Sequence, residues 1–386
     1  MGAKAADPAV LPDPVPAASL HDRVLAWRVA LVAKAGFRRF AARFPLTRPF
    51  ARRSTRALFR LCTGFVHTQV LTACVRLGLF DLLAASPVAE PLLAQRLGLE
   101  LPAAQTLLAA AGAIGLVARR DDGRWALAEL GAVVASDPGI RAMVAHHALL
   151  YPELADPVAL LRAPRGGTAL ARYWAYAQAD APGALPGQAV GDYSALMAAS
   201  QAMIAAEVLD AVDLSRARAL LDVAGGEGAF LAAAGARHRA LRLQLFDLPA
   251  VAARAAERFS AAGLGDRATA TGGDVFRDAL PRGADVVSLV RVIHDHDDSA
   301  ARAILRAARA ALAPGGTLVL AEPMAGTRGA EEVGAYFAFY LWAMGQGRPR
   351  TAAELAAMLG EAGFVRVRER RTATPLLVRV LSATAR

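Results

Sequence analysis

The chain runs to 386 residues, 55% of them hydrophobic, with a formal net charge of +10. Such a length accommodates two or three domains and a large buried core. The two cysteines, Cys62 and Cys74, exclude a disulfide framework and a zinc site and point to a reducing cytoplasm.

Residues 1–20 carry Pro8, Pro12, Pro14 and Pro16 among small residues, the composition of a disordered leader without the compact run of a signal peptide. Between Arg23 and Arg60 there are ten Arg and one Lys and no Asp or Glu, so this segment alone accounts for the excess charge. Trp27, Phe37, Phe40, Phe44, Phe50 and Phe59 are interleaved with the cations. Basic residues with scattered aromatics suit an anionic membrane surface or nucleic-acid phosphates; the plainer reading is an Arg-rich helix packed on a dimer partner. Each near-surface cation gains about 1 kcal/mol on anionic lipid. No stretch reads as a membrane-spanning helix, and a soluble or peripheral protein is expected.

From Leu61 to Leu130 the pattern is helical and then β-like. Leu79–Leu83, Leu92–Leu97 and Pro102–Ile114 predict three helices at helix–turn–helix spacing, and Arg119–Leu127 predicts a hairpin turning at Asp122-Gly123. Together they make a winged-helix unit, a shape able to bind DNA. Residues 131–190 mix helix and loop, with an aromatic cluster at 173–176, and Pro182, Gly183, Pro186 and Gly187 mark a linker. A long helix is expected over Ser194–Val212. Strands then alternate with helices at Ala219–Val223, Arg242–Phe246, Ala268–Thr271, Asp285–Val290 and Thr317–Ala321. Two last strands, near Phe364–Glu369 and Leu376–Leu381, have no helix between them and should pair as an antiparallel hairpin. This alternation implies a mostly parallel sheet with helices on both faces.

In a doubly wound sheet the ligand sits at the carboxyl ends of the strands. Gly225, Gly226 and Gly228 follow the first strand and let backbone approach a ligand closely. Asp247, 19 residues after Gly228, ends the second strand, where a carboxylate accepts both ribose hydroxyls. That geometry fits NAD as well as S-adenosylmethionine (SAM). Two features favour SAM: Leu231 occupies the last place of Gly-x-Gly-x-x-Gly, and a second acid, Asp274, ends the third strand within reach of an adenine amino group.

His294 follows the fourth strand and Glu322 the fifth. Adjacent strands lie about 4.8 Å apart, so these side chains can meet, and a histidine oriented by a carboxylate is a general base. His296 is the rival base, although Asp297, Asp298 and Ser299 read as caps for a helix over Ala301–Leu312. No metal site is expected from acids and histidines in one local run. Val333–Gly347 is uncharged and holds five of the 24 aromatics within seven residues, a helix expected to line an apolar acceptor site with one face.

From Leu61 onward the chain resembles the winged-helix-plus-Rossmann O-methyltransferase family that includes plant caffeate and flavonoid enzymes. Within it, Leu289–Asp298, the Gly347–Thr351 stretch and the basic N-terminus resemble the branch that methylates acyclic carotenoids in purple photosynthetic bacteria. The resemblance implies an α/β protein, a Rossmann-like methyltransferase domain at 186–386 behind a mostly helical winged-helix dimerisation domain at 61–185, with a basic segment at 1–60. It implies SAM held by Gly225, Gly226, Gly228, Asp247 and Asp274, with Met197 packed near the methyl donor. His294 matches the catalytic base and Glu322 the carboxylate that positions it.

The expected partners are a second copy of the chain, a small apolar hydroxylated substrate and an anionic membrane, with no nucleic acid. The expected location is the cytoplasm, at the surface of the photosynthetic membrane. Three positions depart from the plant pattern: Ala224 replaces its first glycine, Val290 stands where a lysine is frequent, and Pro349 or Arg350 replaces a second glutamate flanking the base.

Two other readings stand beside this one. A phenolic or polyketide acceptor fits the same fold. A winged-helix DNA-binding regulator that senses SAM fits the basic segment, but its reading helix, Pro102–Ile114, has no Lys or Arg and only Gln105 and Thr106 as polar side chains.

Overall fold

The computed structural model describes residues 19–173, 201 and 203–386. Met197, the linker at 181–187, positions 174–176 of the aromatic cluster and the start of the Ser194–Val212 helix lie outside the described residues; 203–211 is helical. The chain divides into two compact units, Met1–Val70 and Leu71–Arg386.

In the first unit Ser19 and Asp22 form a capping box that starts α1, Leu20–Ala33. Lys34 breaks the helix with extended backbone, and the Arg38 guanidinium donates to the orphan carbonyls of Val32 and Ala33 at 3.0 and 2.6 Å. α2 spans Ala35–Arg43, and α3, Arg48–Arg76, runs unbroken for 29 residues from this unit into the next. An 18-residue stretch of α3 has a mean hydropathy of 1.3 and is 11% buried, so by length and composition this helix is able to cross a bilayer. The sequence reading finds no such helix, because Arg60, His67 and Gln69 interrupt the apolar pattern.

The second unit begins with the winged-helix elements. Helices Leu79–Ala84, Glu90–Leu97 and Leu101–Ala113 are followed by β1 (Val117–Arg119) and β2 (Trp125–Leu127), an antiparallel pair. Gly123 supplies the positive φ of 81° at the hairpin turn. Glu90 ties the unit together by accepting from the Trp125 ring nitrogen at 3.0 Å and from Gln105 at 2.7 Å.

The main sheet contains β3 (Ala219–Val223), β4 (Arg242–Asp247), β5 (Ala268–Gly272), β6 (Val286–Val290), β7 (Thr317–Glu322), β8 (Phe364–Arg370) and β9 (Arg379–Ala385). Their order is β5-β4-β3-β6-β7-β9-β8, with β3 to β7 parallel and β9 antiparallel to both neighbours. The order reverses between β3 and β6, which sets a crevice at that carboxyl edge. β3 is wholly buried, as a strand covered on both faces must be. Leu221 and Val223 pack with helices Asp298–Ala311 and Ala352–Glu361, whereas Leu220 packs with Ala229–Arg237 and Pro249–Ala261. The C-terminal hairpin forms as expected, but β9 starts at Arg379 rather than Leu376. Pro375 has no N–H for a ladder, and Leu377 instead closes a turn on the Thr374 carbonyl at 2.9 Å.

Candidate active site

β3 delivers the chain into a turn with three left-handed residues: Ala224 (φ 54°), Gly226 (φ 60°) and Gly228 (φ 75°). The glycines serve different ends. A Cβ at Gly225 would lie 2.3 Å from Asp222 Oδ2, and one at Gly228 would lie 2.6 Å from the Phe259 ring. A Cβ at Gly226 would meet nothing within 4 Å, so this backbone faces open space. Ala224 carries its Cβ in a conformation that costs an L-residue about 1 kcal/mol or more.

Below the turn, Asp222 is fully buried and accepts from Ser288 Oγ at 2.6 Å, while its Oδ2 has no hydrogen-bond partner among the described residues. Burial, opposed by the Ser288 hydrogen bond, pushes its carboxyl up to about 7. Asp247 Oδ2 accepts from the Gly226 N–H at 2.7 Å, and Oδ1 from the Leu248 N–H at 2.7 Å. Desolvation pushes Asp247 to about 6 against those two donors. The structure thus joins the glycine turn and Asp247 by a direct hydrogen bond. Asp274 sits beyond the end of neighbouring β5, where its carboxylate accepts from the Phe276 N–H at 2.9 Å and lies 3.5 Å from Arg277. An open glycine backbone beside a carboxylate with spare lone pairs, above a buried acid with an orphan oxygen, fits a ribose-bearing donor.

One strand along, β6 is followed by Arg291, which holds a positive φ of 60° and donates its N–H to the Ala321 carbonyl. A short 3-10 turn, Ile293–Asp295, follows. Val290 pairs with Ala321 across β6 and β7, so Glu322 emerges beside this turn. Its Oε1 accepts from the Val292 and Ile293 N–H groups at 3.0 and 2.6 Å, and Oε2 lies 2.5 Å from His294 Nδ1. His294 and Glu322, apart in sequence, are therefore brought together and buried.

The second ring nitrogen, Nε2, lies 3.1 Å from Asp295 Oδ1. Pro349 and Arg350 offer no carboxylate here, and Asp295, the residue next to the histidine, sets a second carboxylate against the ring. Burial lowers the imidazole pKa, but the Asp295 and Glu322 carboxylates outweigh it and the net direction is upward. Burial lifts Asp295 to about 6, with His294 opposing. His296, the rival base, is pushed down to about 4 by burial and by its neighbour His294.

The expected capping role of the aspartates is overturned in part. Asp297 is the N-cap of helix Asp298–Ala311, yet its side chain makes no cap hydrogen bond; it accepts from the Gly347 N–H at 3.1 Å. Asp298 pairs with Arg348 and Arg350, which hold its carboxyl at about 2. Arg350 is 2% exposed and donates to the carbonyls of Ile293 and His296, each at 2.7 Å. At Gly347 an added Cβ would lie 2.2 Å from the His294 carbonyl oxygen. Guanidinium groups draw the acids away from the helix end and clamp the histidine turn against this loop.

The aromatic helix spans Glu331–Met344 and buries Tyr340, Leu341, Ala343 and Met344. Phe337 sets its ring edge-on to His294, with centroids 5.7 Å apart at 81°. Tyr340 and Tyr336 reach His146 and His147 at 2.6 and 3.1 Å. Burial depresses both histidines, His146 to about 4, and raises Tyr336 to about 12. These groups are neutral near pH 7 and leave an aromatic, weakly polar wall beside His294.

Residues 182–365 match the O-methyltransferase domain, and residues 59–137 match the O-methyltransferase dimerisation domain. Demethylspheroidene O-methyltransferase of Cereibacter sphaeroides is 44% identical over 341 residues, covering 87% of this chain and 89% of that protein. The chain belongs to the SAM-dependent O-methyltransferase family. This O-methyltransferase is also 34% identical to 3-hydroxy-5-methyl-1-naphthoate 3-O-methyltransferase of Streptomyces sahachiroi, over 82% of the chain and 91% of that protein. Its fold matches the solved structure of mitomycin 7-O-methyltransferase with a TM-score of 0.71 at 25% identity, covering 87% of this chain and 98% of that one.

Sequence reasoning missed four residues of this O-methyltransferase. Asp295 has no role of its own in the sequence reading, and Arg350 stands there only as a departure from a pattern. His146 and His147 left a bare His-His doublet as their signal, since their tyrosine partners lie almost 200 positions away. Among the described residues no group of three or more His, Cys, Asp or Glu is arranged to hold a metal ion.

Proposed function

We propose that this enzyme transfers a methyl group from SAM to the 1-hydroxyl of an acyclic carotenoid of the demethylspheroidene type, with His294 as general base. The observation that carries the acceptor is the 44% identity, over 89% of its length, to a demethylspheroidene O-methyltransferase. When bound, SAM supplies a methyl group already activated on a sulfonium, so the chemistry asks the protein for a base and for alignment rather than for a metal. Gly225, Gly226 and Gly228 would let backbone lie against the donor, Asp247 would accept from its ribose hydroxyls, and Asp274 would face its adenine end. We assign dimerisation to residues 61–185 and methyl transfer to 186–386, in a homodimer that reads no nucleic acid.

Glu322 fixes the base. It accepts Nδ1–H, so the lone pair of neutral His294 lies on Nε2. The acceptor's hydroxyl proton passes to Nε2, and Glu322 and Asp295 then stabilise the imidazolium that forms. A tertiary alcohol is far less acidic than a phenol, and two carboxylates on one imidazole raise the basicity such an acceptor requires. Phe337, Tyr336 and Tyr340 offer the neutral aromatic surface that a polyene needs.

Labelled SAM supplied with a 1-hydroxylated acyclic carotenoid and, separately, with a hydroxynaphthoate tests the acceptor. Methylation of the carotenoid is expected; turnover of the naphthoate alone would establish the phenolic reading. His294→Ala should keep its SAM affinity by calorimetry and lose turnover at least about a hundredfold.

A further inference from the structure

Residues 19–58 lie ahead of the matched dimerisation segment and hold nine Arg and one Lys against a single acid, Asp22. The described part of the chain sets no acid against them but Asp22, which caps α1. None of the ten enters an ion pair among the described residues, and only Arg38 is engaged in capping. Apolar side chains stand open between them. α1 buries no residue and α2 buries Ala41 alone, while Trp27 is 64% exposed, Phe40 56% and Phe50 73%. Phe40 of α2 stacks on Phe44, the helix's C-cap, with ring centroids 5.3 Å apart, and Arg39 and Arg43 lie one turn apart on the same helix. A surface both this apolar and this basic is more than a monomer leaves to water.

Charge decides what covers it. A second copy meeting itself through this face would set ten cations against ten, a like-charge contact that repels. An anionic lipid headgroup layer is complementary in sign, and the acyl region beneath it accepts the apolar side chains. We propose that residues 19–58 dock the enzyme on an anionic bilayer, with the arginines on headgroups and Trp27, Phe40 and Phe50 inserted between them. α1, α2 and the first turns of α3 lie in the interface plane. The dimer forms through the segment that follows, so both engagements coexist. This surface does not depend on which acceptor the site methylates.

The full chain is floated with vesicles of phosphatidylcholine alone and with vesicles containing phosphatidylglycerol. Partition to the anionic vesicles should be at least about tenfold stronger at low salt and fall as salt rises. The triple variant Arg52→Glu, Arg53→Glu, Arg56→Glu should bring partition to the level of neutral vesicles. Trp27→Ser with Phe50→Ser should reduce what persists at high salt. SAM affinity, measured by calorimetry, should be unchanged in both and shows that they fold. Equal partition to the two vesicle types would overturn the proposal. So would dissociation of the dimer by Trp27→Ser with Phe50→Ser, which would give the face to a second copy, and so would tighter binding to duplex DNA than to anionic vesicles.

Discussion

His294 lies between two carboxylates, and its proton affinity governs how turnover answers to pH. As the proposed base, His294 works only when neutral. Its pKa is raised in the folded protein, so kcat/KM falls with decreasing pH at a higher point than an ordinary histidine would give. Glu322→Gln removes one of the anions that raise it. The acid limb of the profile should then move to lower pH, while kcat drops about a hundredfold as the ring loses its anchor. The proposed SAM contact at Asp247 answers to a different titration. Asp247 titrates near 6, and once protonated it no longer offers a full carboxylate to the ribose, so affinity should weaken as pH falls through about 6. Calorimetry across that range checks it; a flat profile would remove Asp247 from the donor's contacts.

At the scale of elements, the loop Gly345–Thr351 holds the histidine turn in place. Arg350 gathers two carbonyls and the Asp298 carboxylate in one buried guanidinium, and the Arg348 N–H binds the His294 carbonyl at 2.9 Å. Arg350→Met leaves those acceptors unpaired and lets the turn drift. Turnover should fall about tenfold to a hundredfold with SAM affinity little changed, and the pH profile should shift with the displaced imidazole. Arg350→Lys should not restore it, because a single ammonium cannot replace a fork of donors.

This loop also shows what a sequence does and does not disclose. The strands, the glycine turn, the spacing to Asp247 and the pairing of His294 with Glu322 were legible, because alternation and turn chemistry are local and strand order places successive ends side by side. The roles of Asp295 and Arg350 were not, because side-chain direction at the end of β6 depends on a loop some 50 residues downstream. α3 escaped for another reason: a 29-residue helix forms across polar interruptions that break a hydropathy pattern but not helical backbone.

Across the whole molecule the charge is partitioned. Residues 19–58 carry +9, from nine Arg and one Lys less Asp22, and the chain as a whole carries +10. Residues 1–18 contribute −1 from Lys4, Asp7 and Asp13, leaving 59–386 at +2. Self-repulsion is therefore confined to one short stretch, while the sheet and its helices are close to neutral. Such a chain has no reason to melt as one cooperative body. Added sodium chloride should raise the transition of the N-terminal helices by screening their mutual repulsion and leave that of the catalytic sheet almost where it was. Circular dichroism at low and high ionic strength would then show helicity gained with salt while the thermal transition of the sheet holds still, a signature written by arginines outside the sheet.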